Sequence, residues 1–252
     1  MQLRSCQESS SYGAMAMLEA TESTDATWTI RSVFKAAWEK QEGAKAKILL
    51  AGILYLLISF IVETCFGAIL VASGLPEFGQ QGTWHNLLMG LLVNLLMAPL
   101  LYGFWLLGIN RSAGISINIK SIFEPLNLFL TLVGLNFLIL FLTLMGTLLL
   151  IIPGIYLGIS YALAPVLVIK KNMGIWESME TSRKTVTKYW WRFFGFGLLL
   201  ILLNFLGAIL FVVPLIWTVP VSLIAFGEVY NSSFPADEGS MFREPNEEPG
   251  SP

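Results

Sequence analysis

Apolar residues along this chain gather into four blocks, at residues 48–72, 86–109, 122–169 and 193–230, parted by short polar stretches. A helix needs about 20 residues to cross the hydrocarbon of a bilayer. The first two blocks therefore supply one crossing each. The third and fourth are too long for one, and each holds a breaker: Ile152-Pro153-Gly154 in the third and Val213-Pro214 in the fourth. Each reads as a helical hairpin, with turns at Pro153 and Gly154 and at Pro214. The expectation is an all-α, polytopic membrane bundle of six helices, near 48–72, 86–109, 123–152, 154–169, 193–213 and 215–230. Four or five crossings would need a very long tilted helix that proline merely kinks.

Two further segments carry a helical apolar stripe on a charged background. In residues 28–44, Ile30, Val33, Phe34, Ala37 and Trp38 recur at the spacing of one helix face, with Arg31, Lys35, Glu39 and Lys40 on the others. In residues 173–191, Ile175, Trp176, Met179, Val186, Tyr189 and Trp190 cluster on one side, and Glu180, Lys184 and Lys188 lie opposite at i, i+4 spacing. Both precede an apolar block and are expected to lie on the membrane surface, against headgroups or against the ends of the bundle. A gap-free match joins the two long blocks. Gly146 to Tyr156 and Gly207 to Trp217 each give glycine, an apolar run, proline and an aromatic three residues later, the form of a parallel internal repeat.

Composition agrees with lipid as the solvent. Charged residues make up 13% of the chain, hydrophobic ones 55%, and the mean hydropathy is +0.69; soluble domains carry about 25% charge. Net charge is −2, so no overall basic field points to nucleic acid. All 15 Lys and Arg fall in four places: the N-terminal segment through Lys47, the 110–120 loop, residues 170–192, and Arg243. The 73–85 loop and both proline turns have none. Six crossings put every basic region on one side, and the positive-inside bias makes that side cytoplasmic, with both termini there. Residues 1–27 and 231–252 are polar and read as disordered tails, the second acidic. The first has no apolar core for a signal peptide, so the first crossing is expected to act as an uncleaved anchor.

The run Ile152-Pro-Gly-Ile-Tyr-Leu157, then Tyr161-Ala-Leu-Ala-Pro165, Trp176-Glu-Ser-Met-Glu-Thr-Ser-Arg-Lys184 and Trp190-Trp191 resembles the YciC-like bacterial inner-membrane proteins. A similar pattern occurs in the membrane domain attached to some glycerophosphodiester phosphodiesterases. The resemblance spans about residues 28–230, with its specific part at about 152–191. It implies a six-span domain of the bacterial inner (cytoplasmic) membrane with no assigned activity. It does not carry phosphodiesterase chemistry, which belongs to a soluble barrel using paired histidines and a metal; this chain has His85 alone.

Candidate chemistry is sparse. Cys6 lies in a polar tail and Cys65 in an apolar block, so neither a disulfide nor a metal site is expected, nor a cofactor or an enzymatic activity. Glu63 stands well inside the first crossing, where a charged carboxylate costs at least about 2.5 kcal/mol. With Asn94, Asn136 and Asn204 in mid-helix positions, it is a candidate intramembrane polar site for a small solute or ion; the asparagines serve equally as packing glue. Arg183, Lys184, Lys188 and Arg192 are candidate contacts to phospholipid headgroups. The expected partners are membrane lipids, with anionic lipids, a second copy or another membrane protein as candidates. A structural or accessory role in the envelope, through lipid or protein contacts, is the leading reading of function, and a transporter or channel the alternative.

Overall fold

The computed structural model describes residues 28–73, 83–210 and 213–234. Both tails expected to be disordered, apart from residues 231–234, lie outside these, as does most of the first inter-helix loop. The described residues form helices joined by short turns and loops: α1 (Ile30–Lys40), α2 (Lys45–Ala72), α3 (Thr83–Ser112), a 3-10 segment (Ile119–Leu128), α4 (Phe129–Leu149), α5 (Ile151–Ser160), α6 (Ala164–Lys171), α7 (Ile175–Lys188), α8 (Trp190–Ile209) and α9 (Leu215–Ser233).

These elements fall into three successive units of one plan. Each opens with an amphipathic segment (α1, the 3-10 segment, α7), continues with an outer helix (α2, α4, α8) and returns by an inner one (α3, α5–α6, α9). Burial separates outer from inner. Within the apolar windows of α2, of the 3-10 segment with α4, and of α8, 11%, 11% and 17% of residues are buried, against 56% in α3 and 50% in α5–α6. α9 buries Val221, Leu223, Ile224, Ala225, Val229 and Tyr230. Outer helices carry apolar side chains on almost every face because lipid surrounds them; inner helices meet protein.

Five stretches are long and apolar enough to cross a membrane: Lys45–Ile69, Gly90–Ser112, Ile119–Leu149, Ile151–Lys171 and Trp190–Ile209. This is a multi-pass membrane protein. The expected sixth stretch, α9, is 19 residues long but interrupts its apolar run with Pro220, Ser222, Glu228 and Asn231, and it extends to Ser233, into what was expected to be tail.

The core is built on backbone contact between the inner helices. A methyl group on Gly108 would overlap the Leu223 carbonyl oxygen, and one on Gly227 would lie 2.7 Å from the Gly108 oxygen. Residues 108 and 112 of α3 thus face 223 and 227 of α9, and the two helices run parallel. A methyl group on Gly103 would overlap the Ile122 carbonyl in the same way, which seats the 3-10 segment against α3. In lipid, where no water is expelled by helix association, such small-residue contacts hold helices together by dispersion. Around them Ile48, Leu107, Ile122, Leu167 and Ile224 are fully enclosed.

The second hairpin turns earlier than expected. α4 ends at Leu149, a single extended residue, Leu150 (φ −161°, ψ 140°), reverses the chain, and Pro153 and Gly154 lie in the first turn of α5. Proline costs nothing there, since the first-turn N–H groups have no helical acceptor. Gly154 is fixed by proximity: a methyl group on it would overlap Thr147 of α4, 2.8 Å from that residue's Cα. The expected single helix at 154–169 is broken at residues 161–163. Pro165 has no N–H for the Tyr161 carbonyl, which takes the Ala164 N–H instead at 3.1 Å. The fourth-block turn is as expected, with Pro214 capping α9.

The two amphipathic helices form close to their expected bounds. Thr29 and Ser32 make a reciprocal cap at the start of α1, and Gly43, at φ +74°, turns the chain into α2. Glu177 in the first turn and Lys188 in the last complement the dipole of α7.

The glycine contacts give a direct test. Gly108→Ala should destabilise the protein by about 1–3 kcal/mol, the range for overpacking. Gly67→Ala, with nothing within 4 Å, should be neutral or slightly stabilising. Thermal unfolding of both variants in detergent checks the difference.

Candidate functional site

Polar chemistry concentrates at the end of the bundle where α1 and the C-termini of α3, α6 and α9 meet. Lys40 is central: its Nζ donates to the Glu228 carboxylate at 2.5 Å and to the Ser112 carbonyl at 2.7 Å. Arg111 donates to the carbonyls of Lys40 (2.7 Å) and Glu42 (2.8 Å), so α3 holds the α1–α2 turn. Asn231 Nδ2 donates to Ser112 Oγ at 2.7 Å, joining α9 to α3, and Lys170 Nζ donates to Asn110 Oδ1 at 2.5 Å, joining α6 to α3. Lys47 reaches the Ile117 carbonyl at 3.2 Å. Glu228 and Asn231, whose pairing the sequence does not announce, are the residues that connect this cluster to α9. Lys40 and Lys170 stand in the last turns of α1 and α6, where positive charge is favoured, and Lys40 also fills the Ser112 carbonyl at the end of α3.

Beside it lies a recess of about 770 Å³, lined by Lys170, Lys171, Asn231, Ile115, Met173 and Phe234 among others. Its two ammonium groups sit beside apolar walls, and Lys171 lies 5.5 Å from the Phe234 ring centre. A second, mostly apolar cleft of about 560 Å³ runs between α5–α6, α8 and α9, past Trp105, Gly158, Phe196, Gly197 and Phe226.

The four residues expected to form an intramembrane polar site are not brought together. Glu63 is exposed on outer helix α2, and Asn94 is exposed on α3. Asn136 of α4 accepts from the Tyr102 hydroxyl of α3 at 2.8 Å. Asn204 of α8 donates to the Leu200 carbonyl at 2.8 Å and to Ser222 Oγ of α9 at 2.7 Å, at the edge of the apolar cleft. Asn136 and Asn204 thus each tie an outer helix to an inner one.

No family model matches the chain, and no curated protein or solved structure matches it either. What its surfaces do therefore rests on their own chemistry.

The four candidate headgroup residues lie on α7 and at the start of α8. Arg183 donates twice to Glu180, at 2.8 and 2.9 Å, and Lys184 is 3.4 Å from the same carboxylate. The Arg183 hydrogen bonds, ahead of the charge itself, hold the Glu180 carboxyl below its usual range. That contribution to stability is present at neutral pH and lost as pH falls through the lowered value. Lys188 and Arg192 lie over the Tyr189 ring at 5.3 and 5.1 Å. Arg192 also approaches the Trp28 carbonyl at 3.5 Å, joining the start of α8 to α1.

The Lys40 contacts yield an expected outcome. Lys40→Met leaves a half-buried carboxylate and the Ser112 carbonyl without their donor, a loss of about 1–3 kcal/mol. Adding Glu228→Gln should restore part of it, because the stranded charge is gone. A double-mutant cycle on thermal stability measures the coupling.

Proposed function

We propose that this chain is a structural or accessory protein of the bacterial inner membrane, acting through contacts of its basic end with anionic lipid. In this reading three hairpins, the six helical arms of the sequence pattern, enter from the cytoplasmic face, and both termini lie there. The observation that carries it is the sidedness of charge: all 15 Lys and Arg fall in four segments. Lys40, Lys47, Arg111, Lys170 and Arg192 of three of them meet at one end of the bundle. Positive charge beside a membrane-embedded domain marks the cytoplasmic face and attracts the anionic lipids of that leaflet. Two amphipathic helices, α1 and α7, lie at the same end, with Trp38 and Trp176 exposed as interfacial anchors. The resemblance to the YciC-like inner-membrane family supports the same placement.

Transport is the weaker reading. Glu63 and Asn94 exposed on helix surfaces, and Asn136 and Asn204 spent on helix pairing, supply no connected polar path among the described residues.

Each basic residue near an anionic surface contributes roughly 1 kcal/mol, less for Arg183 and Lys184 because Glu180 offsets them. Replacing Arg183, Lys184 and Lys188 together by glutamine should lower the ratio of anionic to zwitterionic lipid retained through gentle purification. Lipid mass spectrometry measures that ratio. An unchanged ratio would remove these residues from the lipid contact.

A further inference from the structure

We propose that the second hairpin, α4–α5, does not reach the far side of the membrane. Instead it lies as a wedge among the acyl chains of the leaflet on the basic side. This deepens the lipid-contact reading and rests on its assignment of a basic, water-facing end.

The argument starts from α7. Its 14 residues, about 21 Å at helical rise, include Glu177, Glu180, Arg183, Lys184 and Lys188. A helix so charged cannot enter hydrocarbon, so it runs along the membrane boundary. It also packs lengthwise against the second unit. A methyl group on Gly134 would lie 3.4 Å from Ile175 Cδ1, and Met179 joins Leu132, Leu135, Ala164 and Val168 in one cluster. Ser182 Oγ donates to the Ser160 carbonyl at 2.6 Å, and the Thr187 and Tyr156 hydroxyls are 2.6 Å apart. Contacts therefore run in order along α7 while descending through α6 and α5, from Val168 to Ser160 to Tyr156. A helix paired lengthwise with a surface helix cannot stand upright in the bilayer.

The start of α8 fixes the level independently. Trp190 stacks on Tyr156, with ring centres 6.1 Å apart, while Phe193, one turn on, packs edge-on against Trp28 beside α1, at the basic end. Tyr156 lies five residues, about 7.5 Å, past the first residue of α5. The hairpin tip therefore sits close to the boundary from which α8 departs, although a crossing needs about 30 Å. Length and composition would allow α4 and α5–α6 to cross; their packing directs them sideways.

The tip's chemistry selects what surrounds it. Leu148, Leu149, Leu150, Ile151 and Ile152 are 65% to 79% exposed. No polar side chain stands between Thr147 and Tyr156. Five aliphatic side chains at the tip exclude both water and headgroups, so acyl chains cover them. α7 lies underneath as the polar sole, with Trp176 and Lys184 exposed.

The test uses the full chain with Cys6 and Cys65 replaced by serine and a spin label at Ile151→Cys, reconstituted in sealed, uniformly oriented vesicles. A membrane-impermeant nickel chelate is added to one face at a time, and oxygen access is recorded. Trp176→Cys and Ser73→Cys mark the basic and opposite faces. The expected result is high oxygen access at position 151, with chelate relaxation several-fold stronger from the basic face. Equal relaxation from both faces, stronger relaxation from the opposite face, or water-like exposure without oxygen enrichment each overturns the wedge. Leu149→Cys repeats the measurement should Ile151→Cys fold poorly. Extraction of the protein by alkaline carbonate would instead overturn the membrane reading itself, so the two failures are distinguishable.

Discussion

The contact of α3 with α9 at Gly108 and Gly227 is the constraint on which the rest of the structure depends. In hydrocarbon, helices gain nothing by hiding apolar surface, because lipid tails solvate leucine as well as protein does. What remains is close approach, and here the backbones touch. Once α3 and α9 are fixed side by side and parallel, their C-termini present orphan carbonyls at one end. Lys40, Lys170 and Asn231 gather there because that end offers acceptors. The same contact leaves α2, α4 and α8 on the outside, which is why those helices are apolar on all faces.

Interactions of different kinds hold the two ends. At the basic end charged and amide groups cross-link α1, α3, α6 and α9 in a region water can reach. Deeper in, Asn136 with Tyr102 and Asn204 with Ser222 tie outer helices to inner ones, and glycine sets the spacing. Gly146 lies against Gly154 and Leu157, and Gly207 against Leu215 and Thr218. These partners stand at equal sequence offsets in the two hairpins, so the repeat read from the sequence has a matching packing arrangement.

Much of the fold was legible because hydropathy and its interruptions are local. The apolar blocks, the stripes of α1 and α7 and the turn at Pro214 all follow from residues within one or two turns of one another. Three features were not. The turn at Leu150 is set by the fit of Gly154 against Thr147, and Pro153 is accepted into a first helical turn. The break at 161–163 arises when Pro165 withholds a donor from Tyr161, a signal present in the sequence but indistinguishable there from a kink. The polar residues misled most. Glu63 and the asparagines are conspicuous by type, yet only the fold decides whether such groups converge, and Glu228 looks ordinary until Lys40 is placed beside it.

The α3–α9 contact joins positions about 120 residues apart, and long loops close late. A chain inserted from its N-terminus thus presents the glycine face of α3 to lipid through the entire insertion of the second unit. Only the last helix seals that face. Until then the α2–α3 hairpin is an open half-interface, complementary to α9 of its own chain and equally to α9 of a neighbour. Assembly of this protein is thereby a matter of timing as much as of shape.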